Sequence, residues 1–118
     1  MTWTRAHDAW IAEHCEGLEV FEPEDWPADM PLVYGDYCRV PKYPTDPAAC
    51  IRAAEAWKAR RPNNRWWGVR HEGDHFAWAC ESNTGISERV AVNSGHGGGQ
   101  SISAAIATAL YTVTGGPA

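Results

Sequence analysis

The feature that most constrains the fold is a helix start set by Asp46 and Pro47. Pro47 has no backbone N–H to lose at the first helical position, and its ring disfavours helical dihedrals at Asp46. The Asp46 carboxylate is therefore the predicted N-cap, accepting from amides of the first turn. Apolar residues then recur at helical spacing, at Cys50, Ile51, Ala54 and Trp57. The pattern predicts a helix from residue 47 to residue 60 or 61, stopped by Pro62.

Two further helices carry similar signals at their ends. Residues 4–16 repeat apolar side chains every three or four positions, and Gly17 can take the left-handed conformation that ends a helix. Near the end of the chain, Ser101 is the predicted N-cap of a helix with a continuous apolar stripe, and Gly115 and Gly116 end it. The sequence therefore predicts three helices.

Alternation of residue types predicts the strands. Residues 65–70 and 75–80 form a hairpin around a turn at 71–74, and residues 86–92 form a third strand. In the second of these strands, Phe76, Trp78 and Cys80 alternate with the small Ala77 and Ala79, which predicts a core face made by the large side chains, with helices close against one side of the sheet. The stretch 18–44 is rich in proline and acid and is predicted to be irregular, with short strands at 32–34 and 37–40. The fold class is a single α+β domain: a small, mainly antiparallel sheet of three to five strands packed with three helices, like a sandwich.

Composition agrees with one globular domain, because 118 residues with 44% hydrophobic content and seven Trp can build one core. No apolar run approaches the roughly 18–20 residues that a membrane helix needs, and no signal-peptide pattern opens the chain, so a cytoplasmic protein is expected. The four cysteines match no short zinc-site spacing. They are expected to be reduced and mostly buried, with disulfides and a metal site as the alternatives.

The net charge of −5 is unevenly distributed. No Lys or Arg occurs between Ala6 and Cys38, whereas residues 52–70 are strongly basic. The favoured interpretation is internal complementarity; the alternative is an acidic surface that binds a basic protein. Its candidate residues are Glu16, Glu19, Glu22, Glu24, Asp25 and Asp29. Direct nucleic-acid binding is not expected of a chain that is net acidic.

Three segments together resemble the phage ABA sandwich domain family, which comprises small proteins encoded by phages and prophages. The segments are Asp-Ala-Trp-Ile-Ala-Glu-His-Cys-Glu-Gly at 8–17, Tyr-Pro-Thr-Asp-Pro-Ala-Ala-Cys at 43–50 and Ser-Ile-Ser-Ala-Ala-Ile-Ala-Thr-Ala-Leu at 101–110. They resemble the family's opening helix, its Tyr-Ser-Thr-Asp-x-Ala-Ala-Ala helix start and its alanine-rich closing helix. The resemblance implies a phage origin and a place in the cytoplasm of an infected bacterium. It implies no reaction and no catalytic residue.

A ligand site is predicted where glycines, arginine and aromatics coincide. The run Gly-His-Gly-Gly-Gly at 95–99 precedes a helix and could present backbone amides to a phosphate, while an arginine followed by two tryptophans could hold a flat anionic ligand. The run lacks the Walker ending and the dinucleotide fingerprint, and the alternative is a plain linker with both tryptophans in the core. The candidate residues are Arg65, Trp66, Trp67, His96, Gly97, Gly98 and Ser101.

Other polar clusters are weaker candidates. His71, Asp74 and His75 could take a metal ion, but at a hairpin tip they are better interpreted as solvated turn residues. Ser94 and His96 lack an orienting acid, so no nucleophile is predicted. The sequence predicts no enzyme, no metal and no cofactor.

The leading functional hypothesis is a non-catalytic phage or prophage accessory protein that acts in counter-defence by sequestering a small anionic, nucleotide-type signal. The alternatives are an acidic protein-binding inhibitor of a host defence complex, similar to an anti-CRISPR protein, and a virion or assembly component. The sequence leaves the oligomeric state open, including a homo-oligomer.

Overall fold

The computed structural model of the chain describes residues 2–21, 32–33, 39–72, 74–82, 91–99 and 101–117. The described elements, in chain order, are α1 (Arg5–His14), β1 (Val20–Phe21), β2 (Leu32–Val33), a 3-10 turn (Tyr43–Thr45), α2 (Pro47–Ala59), β3 (Arg65–Glu72), β4 (Asp74–Ser82), β5 (Ala91–Gly99) and α3 (Ile102–Val113). Helices and antiparallel strands combine in one compact body, so the predicted α+β class is confirmed.

The predicted starts of α2 and α3 are confirmed by their caps, whereas α1 and α2 end one or two residues before their predicted ends. The Asp46 carboxylate accepts from the Ala49 amide at 3.1 Å, and α2 begins at Pro47. Ser101 accepts from the Ala104 amide at 3.1 Å in the same way. Gly17 has a φ of 71° just after α1, a conformation that costs other residues strain. Local capping chemistry thus sets where these helices start and stop.

The larger sheet has the strand order β3-β4-β5, and both strand pairs are antiparallel. Trp67 lies opposite Ala79, and Ala79 in turn lies opposite Gly95. The predicted hairpin is present, but its strands run on to Glu72 and Asp74, so most of the predicted turn at 71–74 belongs to the ladder. Sequence alternation could not show how far the ladder extends.

A second, two-stranded sheet joins Leu32 and Val33 to Phe21 and Val20. The strand predicted at 32–34 is therefore present in part, with a partner that the sequence did not indicate. Most of the strands predicted at 37–40 and 86–92 falls outside the described residues, and β5 continues from Ala91 to Gly99.

Helix α3 packs directly against one face of the larger sheet, here called the helix face. This face presents Ala77 and Ala79 from β4 and Gly95 and Gly97 from β5. A Cβ atom on Gly95 or Gly97 would overlap the backbone of α3, at the carbonyl oxygens of Ala109 and Ala105 respectively. The four small residues therefore let the helix and the sheet approach closely. Helices α1 and α2 pack outside α3, so that α3 is buried nearly all round.

Two predictions about the core are wrong. Ala77 and Ala79 are 1% exposed and belong to the core, whereas Phe76 and Trp78 lie on the opposite face and are only partly buried. The reason is that a helix needs small partners for a close approach, so residue size did not indicate the core side. Ile51, predicted on the apolar stripe of α2, is 45% exposed.

The segment before α2 is fastened to α1 by the buried carboxylate of Asp8. This carboxylate accepts from the Trp3 indole at 2.8 Å, from the Arg5 guanidinium at 2.6 Å and from the Tyr43 amide at 3.1 Å. A buried charge is tolerated when donors surround it, so the three contacts account for the position of Asp8.

Candidate functional site

The glycine-rich run at 95–99 is a strand and not a loop, which corrects the predicted phosphate cradle. It forms the end of β5 and pairs with β4 from Gly95 opposite Ala79 to Gly99 opposite His75. Gly97 lies buried beneath α3. The glycines therefore serve helix packing on one face of the sheet, and their backbone is extended instead of curling around an anion.

The opposite face of the sheet carries the large side chains and is here called the aromatic face. It is defined by Trp66, Arg70, Phe76, Trp78 and His96, which the antiparallel register places on one side of three adjacent strands. Arg70 lies opposite Phe76, and Trp78 lies opposite His96. None of these five residues belongs to the buried core formed by the described residues. The side chains of this face thus lie outside the core that the described helices form with the sheet.

Ring contacts connect the three strands of the aromatic face. The Phe76 and His96 rings stack with centroids 5.7 Å apart and planes inclined by 25°. On the other side of Phe76, the Arg70 guanidinium carbon lies 5.6 Å from the centre of the phenyl ring. These three side chains make a row of flat groups that ends in a cation at one side.

Trp78 lies flat across the neighbouring strand. A Cβ atom on Gly68 would come within 2.5 Å of the Trp78 ring, so only glycine at this position leaves room for the indole. On the edge strand, Gly98 leaves open space, because a Cβ there would meet only the His75 carbonyl oxygen at 3.9 Å. The face is therefore a shallow platform with a gap beside Phe76.

The structure separates the predicted ligand-binding residues. Trp66, His96 and Gly98 lie on the aromatic face, whereas Arg65, Trp67 and Gly97 lie on the helix face. Ser101 caps α3 and lies close to the carbonyl oxygen of Pro44. The predicted site is thus split by the sheet. Sequence reasoning missed three residues whose only signal is their strand alternation: Arg70, Phe76 and Trp78.

Arg65 has structural partners in place of the predicted ligand. Its guanidinium donates to Glu81 at 2.5 Å and to the Trp57 carbonyl at 2.7 Å, and it lies 5.0 Å from the Trp57 ring centre. It lines a cavity of about 250 Å³ together with His14, Trp57, Glu81, Val113 and Thr114. Arg65 thus ties α2 to the sheet, and Glu81 already balances its charge.

Glu16, a candidate of the predicted acidic surface, has partners within the chain. Its carboxylate accepts from Arg52 at 2.5 Å and from the Tyr43 hydroxyl. Burial and this hydrogen bond raise the pKa of the Tyr43 hydroxyl above its ordinary range. Glu16 therefore links the end of α1 to Tyr43 and to α2. Glu19 is exposed, and the other candidates lie outside the described residues: Glu22, Glu24, Asp25 and Asp29.

Three cysteines, Cys15, Cys50 and Cys80, are reduced and buried as predicted, and Cys38 lies outside the described residues. Burial raises the pKa of Cys15 and of Cys50 to about 12, so both thiols keep their protons at neutral pH and lack nucleophilic character. Within the described ranges, no group of three or more His, Cys, Asp or Glu side chains is placed to hold a metal ion.

Comparison of the chain with protein-family models, with curated proteins and with solved structures finds no match. In the part of the chain that the structure describes, no helix has the length and apolar character needed to cross a membrane.

Proposed function

We propose that the protein is a non-catalytic binding protein that holds a small, planar, anionic ligand of the nucleotide type on its aromatic face. The observation that carries the proposal is the row of Arg70, Phe76 and His96 across three adjacent strands. Flat rings offer a surface on which a base can stack, and the guanidinium beside them suits a phosphate.

The aromatic face differs from an ordinary solvated sheet face in its side chains. Solvated faces of antiparallel sheets are typically polar, whereas this one presents two indoles, a phenyl ring and an imidazole. Stacking of a base on an aromatic side chain contributes about 1–3 kcal/mol and tolerates any base. Two such contacts and one charge-assisted hydrogen bond would contribute roughly 3.5–9 kcal/mol, and micromolar affinity, about −8 kcal/mol, lies near the upper end of this range.

The charge of the chain favours a small ligand over a long nucleic acid. Neutralising a polynucleotide backbone takes many Lys and Arg side chains, and this chain has a net charge of −5. Among the residues that define the aromatic face, Arg70 carries the guanidinium group. One such cation is suited to one or two phosphates.

The resemblance to the phage ABA sandwich domain family supplies the biological setting of the proposal. In that setting the protein works in the cytoplasm of an infected bacterium and removes a nucleotide signal of host defence by binding it without turnover. The signal itself would be identified by the binding experiment.

Thermal unfolding with a panel of nucleotides tests the proposal. The panel contains cyclic dinucleotides, cyclic mononucleotides and ADP-ribose, with ribose 5-phosphate as the probe that has a phosphate but no base. We expect at least one base-bearing member to raise Tm and to quench Trp fluorescence, and ribose 5-phosphate to do neither. Unchanged Tm values with every nucleotide would contradict the proposal.

Substitutions test whether the ligand binds on the aromatic face. Phe76→Ala removes the central ring, and Arg70→Gln removes the cation, so each is expected to weaken binding about tenfold or more. Val69→Thr is the matched control, because Val69 neighbours Arg70 in β3 but points to the other face and is 39% exposed. Equal weakening by Val69→Thr would show that the ligand lies elsewhere.

Phe76→Ala and Glu19→Lys together distinguish the nucleotide-binding proposal from the protein-binding alternative. If Glu19→Lys abolishes protection of phage in infected cells while Phe76→Ala retains it, the acidic inhibitor replaces the nucleotide-binding proposal.

A further inference from the structure

His71 and His75 face each other at the end of the β3–β4 hairpin. They are direct cross-strand partners in the antiparallel register, and both side chains lie on the same side as the helix face. His71 is exposed and His75 is partly buried. Asp74 pairs with Glu72 and lies on the other side of the sheet, so the predicted cluster of three reduces to the two histidines.

The two imidazole rings are close enough to act together. Their centroids are 4.5 Å apart and their planes are inclined by 35°. A ring nitrogen lies about 1 Å from its ring centre, and two nitrogens that ligate one ion at about 2.0–2.1 Å are roughly 3 Å apart. The spacing of the rings therefore permits one nitrogen from each histidine to reach a single metal ion.

His75 carries an unused ligand atom. Its Nδ1 is buried and has no hydrogen-bond partner. A buried polar atom without a partner costs roughly 1–3 kcal/mol, so native proteins retain few of them. Coordination of an ion would relieve this cost, and the strand that flanks His75 on its other side places Gly99 opposite it, with no side chain to compete.

We propose that His71 and His75 form a two-histidine site for a divalent transition-metal ion. Imidazole nitrogen selects Zn²⁺, Ni²⁺ and Cu²⁺ over Mg²⁺ and Ca²⁺, which prefer oxygen ligands. The neighbours on this side, Val69 and Ala77, are apolar, so among the described residues the two rings are the ligands, and water completes the coordination. The ion would clamp β3 to β4 at the hairpin end. This proposal does not depend on the nucleotide site.

Titration of the full chain with NiCl₂, followed by calorimetry, tests the site. The Cys38→Ser background removes the thiol that lies outside the described residues. We expect one ion per chain, a rise in Tm with added Ni²⁺, and shifts of two histidine resonances in the NMR spectrum. MgCl₂ at the same concentration is expected to cause none of these changes. Absence of Ni²⁺ binding would overturn the proposal.

Substitution of each histidine separates this site from incidental binding. His71→Gln and His75→Gln are each expected to weaken Ni²⁺ binding about tenfold or more, and the exposure of His71 makes the first variant safe for folding. His14→Gln is the matched control, since His14 is an exposed histidine of α1. Binding that survives both hairpin variants, or that is lost equally in His14→Gln, would overturn the proposal.

Discussion

The helix face and the aromatic face of the same sheet are built from residues of opposite size. Under α3 the strands carry Ala77, Ala79, Gly95 and Gly97, and the space is filled by the helix backbone. On the other side, rings and a guanidinium lie over one another without forming part of the core. Close packing of α3 therefore depends on small residues on this side of the sheet, and the large side chains lie on the opposite side, outside the core.

This difference separates two kinds of substitution. Added atoms on the helix face collide with a helix that cannot move, because interiors are packed to crystal-like density. The indole and phenyl rings of the aromatic face are partly buried and lie outside the core, so we expect the removal of their atoms to cost less.

The largest effect is expected for Gly97→Val. Its Cβ would overlap the Ala105 carbonyl of α3, so the helix must shift or the strand must leave the ladder, and we expect a loss of about 3 kcal/mol or more in unfolding free energy. Gly98→Val, one residue away on the other face, meets open space and should change this free energy by less than about 1 kcal/mol. Urea denaturation followed by circular dichroism measures both. Equal losses would show that the two faces are equally packed.

The sequence predicts elements well where the signal is local. Asp46 and Ser101 cap their helices through amides three residues away, and Gly17, three residues after α1, has the left-handed conformation that its residue type favours. Such features need no knowledge of the rest of the chain. The three helices and the β3–β4 hairpin could therefore be placed within a few residues.

The sequence does not predict which face of a strand the helix covers. Alternation in β4 separates Phe76 and Trp78 from Ala77 and Ala79, but hydrophobicity alone favours the larger pair as the core. The backbone of α3 at Ala105 and Ala109 decides the side. It can contact β5 only if the residues of β5 beneath it are small. The glycines of β5 favour a loop when the sequence is considered alone, because the helix that packs on them is distant in the chain.

The candidate site was predictable only in part. Trp66 and His96 were selected for their chemistry and do lie on the aromatic face, but Arg70 joins them through a cross-strand pair with Phe76 that no local pattern contains. Arg65 and Glu16 have ionic partners 16 and 36 residues away in the chain, which no local pattern indicates. Charge patterns show that partners exist without showing which ones pair.

Alkaline pH should weaken the helix side, where the buried thiols of Cys15 and Cys50 lie. The pKa of Cys15 rises from its ordinary value of 9.0 to about 12 through burial, so the unfolded chain loses this proton first. Stability is therefore intact below about pH 9 and is lost as the pH rises towards about 12. At about pH 10.5 we expect a loss of roughly 2 kcal/mol from Cys15, with Cys50 and Tyr43 acting in the same direction.

Urea denaturation across this pH range, repeated with Cys15→Ala, measures that contribution. The variant should lose stability less steeply above about pH 9, because the remaining groups titrate as before. Identical slopes for the two proteins would show that Cys15 ionises as readily in the folded chain as in the unfolded one.

The adjacent tryptophans of β3 compare the two faces directly. Trp67 packs against the core and Trp66 does not, although both are partly buried. We expect Trp67→Ala to cost about 2 kcal/mol in unfolding free energy, below the range for a fully buried ring, and to leave nucleotide binding unchanged. Trp66→Ala should cost about half as much and weaken binding. Urea denaturation measures the loss of unfolding free energy, and calorimetry measures nucleotide affinity. A larger loss of stability for Trp66→Ala, with weaker binding for Trp67→Ala, would exchange the roles of the two faces.

The smallest effect is expected from two arginines of β3. Arg65→Gln removes the contacts with Glu81 at 2.5 Å and with the Trp57 carbonyl at 2.7 Å, and Glu81 keeps Arg61 at 3.3 Å. Because one cation remains beside the carboxylate, the loss in unfolding free energy should be about 1 kcal/mol, and nucleotide affinity should not change. Arg70→Gln is expected to weaken nucleotide binding about tenfold. If Arg65→Gln alone weakens binding, the cavity lined by Arg65 and His14, and not the aromatic face, holds the ligand.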